Sequence, residues 1–175
     1  MPITFDDATV IQAIGLVGTL GGVTWPMFAT RLGMLLGQLF TNLCFLAHFA
    51  LLGAETATLV NVLSALQVAA AIPLGTRPGF RHVYLATVPL IAGVLLWSWS
   101  GVPSLFAALG AGLISLGRYQ TDVGRFRLVM LLALPCWFTH NALVGSVPGM
   151  ISDTVGFALN AMMLARMGAF RRRTA

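Results

Sequence analysis

The chain has 175 residues, of which 58% are hydrophobic and only 9% charged, with a mean hydropathy of +0.89 and a formal net charge of +5. This profile lies outside the range of a soluble domain, and because the hydrophobicity is spread over the whole length it leaves no soluble module for catalysis or nucleic-acid recognition. The charge comes from ten arginines and no lysine, which fall between apolar segments and read as topology signals, not as a nucleic-acid surface.

The N-terminal Met-Pro-Ile-Thr-Phe-Asp-Asp is acidic and lacks the basic region of a signal peptide, so the first apolar segment is expected to remain as a helix. That segment, about Ala8 to Thr24, carries Gly15, Gly18, Gly21 and Gly22, whose spacing allows close backbone contact between membrane helices, and it ends at Trp25-Pro26. Segment two spans roughly Leu32 to Leu52 and closes at Gly53. Segment three runs from about Thr56 to Leu74 and ends in the turn Gly75-Thr-Arg77-Pro78-Gly79. Segment four covers His82 to Ser100, with Pro89 inside it and Trp97 and Trp99 at an expected membrane interface. Segment five, Pro103 to Gly117, is short and rich in small residues. Segment six spans Phe126 to Val144 with Pro135 inside it, and segment seven runs from Gly149 to Met167 before a basic tail.

Seven crossings with the N-terminus outside put every arginine on the inner side: Arg31, then Arg77 and Arg81, then Arg118, Arg125 and Arg127, then Arg166 with Arg171, Arg172 and Arg173. Asp6, Asp7, Glu55 and Asp153 fall outside, and Asp122 alone joins the arginines. The positive-inside rule therefore gives an N-out, C-in orientation. Arg118, Arg125, Arg127 and the terminal triplet also suit anionic lipid head groups, although topology alone accounts for them.

One polar pattern is written twice. Sliding the chain by 92 positions lays Cys44-Phe-Leu-Ala-His48-Phe-Ala-Leu-Leu-Gly53 on Cys136-Trp-Phe-Thr-His140-Asn-Ala-Leu-Val-Gly145, with five of the ten positions identical, and puts Asn61 on Asp153. The first helices match less well, Ala13-Ile14-Gly15 meeting Ala108-Leu109-Gly110 at an offset of 95. The implied architecture is an all-α integral membrane protein of two parallel three-helix repeats, residues 8–74 and 103–167, joined by a linker helix at 82–100 and followed by a basic cytoplasmic tail at 168–175. Such a 3+1+3 plan is SWEET-like, and in transporters of that plan the substrate lies at the repeat interface near the midplane.

The stretches C-W-F-T-H-N (136–141), G-S-V-P-G-M-I-S-D (145–153) and L-N-A-M-M-L-A-R-M (159–167), with H-F-A-L-L-G (48–53) and Asn61 in the first half, resemble YgjV-type bacterial inner-membrane proteins. The resemblance runs from about Ile14 to Met167. That family is similar in plan to the MtN3/SWEET and PQ-loop membrane proteins. It implies a multi-pass protein of the bacterial inner membrane whose first partner is the lipid bilayer.

His48, Asn61, His140 and Asp153 are expected in one layer near the outer side, and Asn160 near the midplane. Polar groups inside a membrane are costly and call for partners. They read either as a site for a small polar solute, with Asp153 and a histidine moving a proton, or as glue between helices. The candidate binding residues are His48, Asn61, Trp137, His140, Asn141, Asp153 and Asn160, with Asn42 and Asn141 also readable as structural or rim groups. Cys44 with His48 and Cys136 with His140 have the i, i+4 spacing that shares a helix face, so the four would make a Cys2His2 zinc site. Two buried thiols are the simpler reading, and neither a metal, a cofactor nor an enzymatic activity is expected. The chain is read as a small-solute transporter or facilitator, the alternative being a membrane scaffold or accessory protein.

Overall fold

The computed structural model describes residues 7–24, 28, 30–77 and 79–173. The N-terminal acid Asp6, the expected helix stop at Trp25-Pro26 and the turn residue Pro78 lie outside the described residues, as do the side chains of Asp7, Arg31, Arg171, Arg172 and Arg173. Among the described residues there are seven helices and no strand: α1 (Asp7–Thr24), α2 (Arg31–Leu51), α3 (Glu55–Leu74), α4 (His82–Trp97), α5 (Val102–Tyr119), α6 (Val123–Val144) and α7 (Val147–Arg173). An apolar chain in lipid has no water for its peptide groups, and helices satisfy those groups within each segment.

The helix ends are marked by the sequence. The Thr30 hydroxyl accepts from the Gly33 amide at 3.1 Å to start α2, and the Asp122 carboxylate accepts from the Arg125 amide at 2.8 Å to start α6. The chain leaves α2 and α6 through Gly53 (φ +71°) and Gly145 (φ +73°), a left-handed backbone that only glycine adopts without strain. These tight turns make α2 and α3, and likewise α6 and α7, antiparallel neighbours.

Five helices are long and apolar enough to cross a membrane: Leu32–Leu51, Glu55–Leu74, Val102–Tyr119, Val123–Val144 and Val147–Met167. The other two have shorter apolar stretches, Ala8–Thr24 in α1 and His82–Trp97 in α4. At 1.5 Å per residue these stretches reach about 26 and about 24 Å and the 18-residue α5 about 27 Å, so all three are short for a hydrocarbon core of about 30 Å. Helix α4 stops at Trp97 and not at Ser100 because Ser98 turns out of the helix, its hydroxyl bonding back to the Val94 carbonyl at 2.8 Å and meeting Thr56 of α3. At the other end of the chain, α7 continues through the basic residues to Arg173, so the expected tail prolongs a helix.

Helix α1 packs on α2 and α7; α3 on α2, α4 and α5; and α6 on α5 and α7. These contacts close into a ring in the order α1, α2, α3, α5, α6, α7, with α4 outside it against α3 and α5. The seam between α3 and α5 is built on small residues, with Ala57, Ala107, Ala108 and Ala111 all buried, which lets two backbones approach closely. Large apolar side chains such as Leu20, Leu66, Leu96 and Leu132 point outward, as a lipid-facing surface requires.

The environments of Gly53 and Gly145 are open, with no atom within 4 Å of where a Cβ would sit, so an alanine there meets backbone strain alone. Gly145→Ala is therefore expected to destabilise the protein by about 1–2 kcal/mol, read as a lower melting temperature in detergent. An unchanged melt would show that the turn does not hold α6 and α7 in register.

Candidate functional site

The ring encloses a cavity of about 130 Å³, lined from five helices. Asn42, Phe45 and Phe49 come from α2, Asn61 and Ser64 from α3, Arg118 from α5, Trp137 and Asn141 from α6, and Ser152 and Asp153 from α7. A second cavity of about 530 Å³ adjoins it and shares Ile114, Arg118, Leu134 and Ser152 with it. Its wall includes Gly22 and Val23 at the end of α1, Leu35 and Gln38 near the start of α2, Tyr84 at the start of α4 and Phe126 at the start of α6. All of these lie at the end of the bundle where the arginines cluster.

Of the seven sequence-derived candidates, Asn61, Trp137, Asn141 and Asp153 line the central cavity. The Asn141 amide donates to the Asp153 carboxylate at 2.7 Å, and the Asn61 amide is turned back to the Ala57 carbonyl at 2.9 Å. His48 and His140 do not line it. They are 0% and 1% exposed and serve as ties between helices. Asn160 is also elsewhere, accepting from Arg127 at 3.2 Å and donating to the Gly156 carbonyl at 2.8 Å. Arg127, in the second turn of α6, reaches it across to α7.

The histidines form a matched pair. His48 Nδ1 lies 2.8 Å from the Ile11 carbonyl and His140 Nδ1 lies 2.9 Å from the Pro103 carbonyl, each 37 residues upstream. A carbonyl only accepts, so in each ring Nδ1 donates and Nε2 of the neutral ring is left to accept. For His48 the donor is the Ser146 hydroxyl at 2.8 Å, which itself accepts from the Gly149 amide at 3.2 Å. His140 Nε2 is buried with no partner. Position 54, which corresponds to Ser146 at the offset of 92, holds an alanine and offers no hydroxyl. Ile11 and Pro103 are also 92 apart, so the hydrogen bonding carries that offset into the first helices, in place of the 95 of their sequence match.

The zinc alternative is not assembled: among the described residues no three His, Cys, Asp or Glu side chains converge, and Cys44 and Cys136 are free thiols. Two features escaped the sequence reading. Arg118 was read as a loop or head-group arginine, yet it lies in the last turn of α5, donates to Gln67 of α3 at 2.6 Å and lines both cavities. Gln67 in turn donates to Ser115 at 3.0 Å and to Thr87 at 2.5 Å, tying α3, α4 and α5 together.

Three residues that line the central cavity each have a polar atom buried without a protein partner: Asn42 Nδ2, Trp137 Nε1 and Asn141 Oδ1. Two are donors and one is an acceptor, and each would cost about 1–3 kcal/mol if kept dry and unpaired. The cavity therefore suits a polar occupant. A family model described as Imp-YgjV, bacterial inner membrane protein, matches residues 9–171. No curated protein and no solved structure matches the chain.

Ser146→Ala would strip His48 Nε2 and the Gly149 amide of their common partner and is expected to cost about 1–3 kcal/mol. Ala54→Ser is expected to act in the opposite sense by giving His140 Nε2 a donor, worth about 0.5–1.5 kcal/mol. Melting temperatures of the two single variants check the pair. A destabilised Ala54→Ser would mean that position 54 does not face His140 as position 146 faces His48.

Proposed function

We propose that this chain, which belongs to the Imp-YgjV family of bacterial inner membrane proteins, passes a small polar solute through the cavity at the centre of its helix ring. The observation that carries this reading is that Asn42, Trp137 and Asn141, each with a buried polar atom lacking a protein partner, share the lining of one cavity with Asp153. A scaffold gains nothing from such atoms, since each is a penalty in a dry interior. A solute carrier uses them, because an occupant that pairs with them removes the penalty.

The reading includes two units, α1 to α3 and α5 to α7, with α4 as the linker. Supporting it are the paired histidine bonds, the paired glycine turns, and the close approach of Gly18 to Phe45 that repeats 92 residues on as Gly110 against Trp137. The two units meet at α1 with α7 and at α3 with α5. At the end bearing Glu55 the seam is bonded shut, by His48 to Ser146, by Gln12 to the Gly145 carbonyl at 3.0 Å, and by Thr56 to Ser104 at 2.9 Å. At the arginine-bearing end lies the larger cavity. With arginines inside, the orientation is N-out, C-in, and the arrangement corresponds to a carrier closed to the outside with its vestibule toward the cytoplasm. Transport then requires one unit to rock against the other, exchanging the outer bonds for a closure at the inner end.

Water access tests this. In a background with Cys44 and Cys136 replaced by serine, Ser152→Cys, at the junction of the two cavities, is expected to react with a membrane-impermeant maleimide in inside-out vesicles and much more slowly from outside. Failure to react from either face, in protein that reacts fully once denatured, would return the polar residues to a role as helix glue.

A further inference from the structure

The central cavity holds one acid and one base that do not meet. Asp153 and Arg118 both line it, yet no ion pair forms among the described residues, and each charge-bearing side chain is held by a neutral amide instead. Asn141 donates to the Asp153 carboxylate at 2.7 Å, and Gln67 Oε1 accepts from the Arg118 guanidinium at 2.6 Å. Inside a bilayer an ionisable side chain is expensive and normally finds an opposite charge. Here the opposite charges are set at different depths. Asp153 stands six residues into α7 from Val147 and Arg118 sixteen into α5 from Val102, helices that enter from the same end. At 1.5 Å per residue their Cα atoms differ in depth by about 15 Å, more than two side chains close without help.

We propose that the solute is a zwitterion, a small molecule carrying an ammonium and a carboxylate, which bridges the two groups with its ammonium toward Asp153 and its carboxylate toward Arg118. This rests on the solute-carrier reading above. A net anion would leave its charge against Asp153, a net cation against Arg118, and a neutral polyol would leave both unmatched. A zwitterion alone cancels both while adding no net charge to the membrane interior. The fixed fork of the guanidinium suits a carboxylate, and Arg118 borders the larger cavity as well. At the other end the ammonium finds Asp153, the unpaired acceptor Asn141 Oδ1 and the ring of Trp137, whose π face attracts a cation. The volume of about 130 Å³ limits the solute to a handful of non-hydrogen atoms.

The test is the melting temperature and binding affinity of the detergent-purified full chain against glycine, β-alanine, 4-aminobutyrate, 5-aminovalerate and 6-aminohexanoate, beside butylamine, butyrate and erythritol. At least one aminocarboxylate is expected to raise the melting temperature by several degrees and to bind more tightly than all three controls, the best chain length reporting the spacing of the two charges. Asp153→Asn and Arg118→Gln are each expected to weaken that ligand on the order of 30-fold or more. The variants should also diverge, Asp153→Asn toward butyrate and Arg118→Gln toward butylamine, a reciprocal change that loss of packing would not produce. Erythritol or butyrate binding the wild type as well as any zwitterion would overturn the charge assignment and leave the solute cavity standing. Silence of the whole panel, with Ser152→Cys still labelled from the cytoplasmic face, would overturn the zwitterion while keeping the carrier. Silence together with a dry Ser152 position would remove both.

Discussion

Inside a bilayer there is no water to satisfy a stray polar atom, and this constraint orders the whole molecule. Most of the buried polar side chains obey it by bonding across helices. Thr56 joins Ser98 and Ser104, Gln67 joins Thr87 and Ser115, Thr19 bonds the Pro148 carbonyl, and His48 ties α1 to α2 and to the start of α7. These ties substitute for the hydrophobic effect, which gives little drive between helices already in an apolar solvent. Among the described residues three exceptions fall on residues that line the ring's central cavity, Asn42, Trp137 and Asn141, while Gln12, Arg127 and His140 each leave an atom unpaired elsewhere. Three such residues share the lining of one cavity, which makes that cavity the place where a bound molecule would supply the partner.

The two histidines share one kind of bond and differ in the other. Both keep the same bond to a carbonyl 37 residues upstream, which fixes the first helix of each unit against the second. Only one finds a hydroxyl on its far side, because Ser146 has an alanine as its counterpart at position 54. The two halves are thus held by different strengths of contact at the end bearing Glu55.

Much of this was legible in the sequence. Seven apolar segments appear within a few residues of where they fold, and the repeat of Cys44 to Gly53 at Cys136 to Gly145 pointed to the histidines and to Asp153. The function of those residues was less legible, since position on a helix does not say which neighbour a side chain meets. His48 and His140 were grouped with Asp153 by depth, yet they face the seams while Asp153 faces the cavity. Asn160 is expected to face a solute and is instead taken by Arg127 of the neighbouring α6, a pairing across helices that spacing along one helix does not reveal. Arg118 looked like one more inner-side arginine. Its distinction depends on Gln67, 51 residues away on another helix, which no local pattern reveals. The offset of the first helices was misjudged for a related reason: matches among alanine, leucine and glycine are common in any membrane helix, whereas a shared hydrogen-bond partner is not.

The central claim is that the polar atoms of the ring's centre meet water or solute, and Trp137 reports on it directly. With Trp25, Trp97 and Trp99 replaced by phenylalanine, the fluorescence of the remaining Trp137 can be followed in detergent or in vesicles. A wet cavity predicts red-shifted emission that acrylamide, a small neutral quencher, reduces readily. Blue-shifted emission that acrylamide cannot reach would place Trp137 in a dry core and contradict the account.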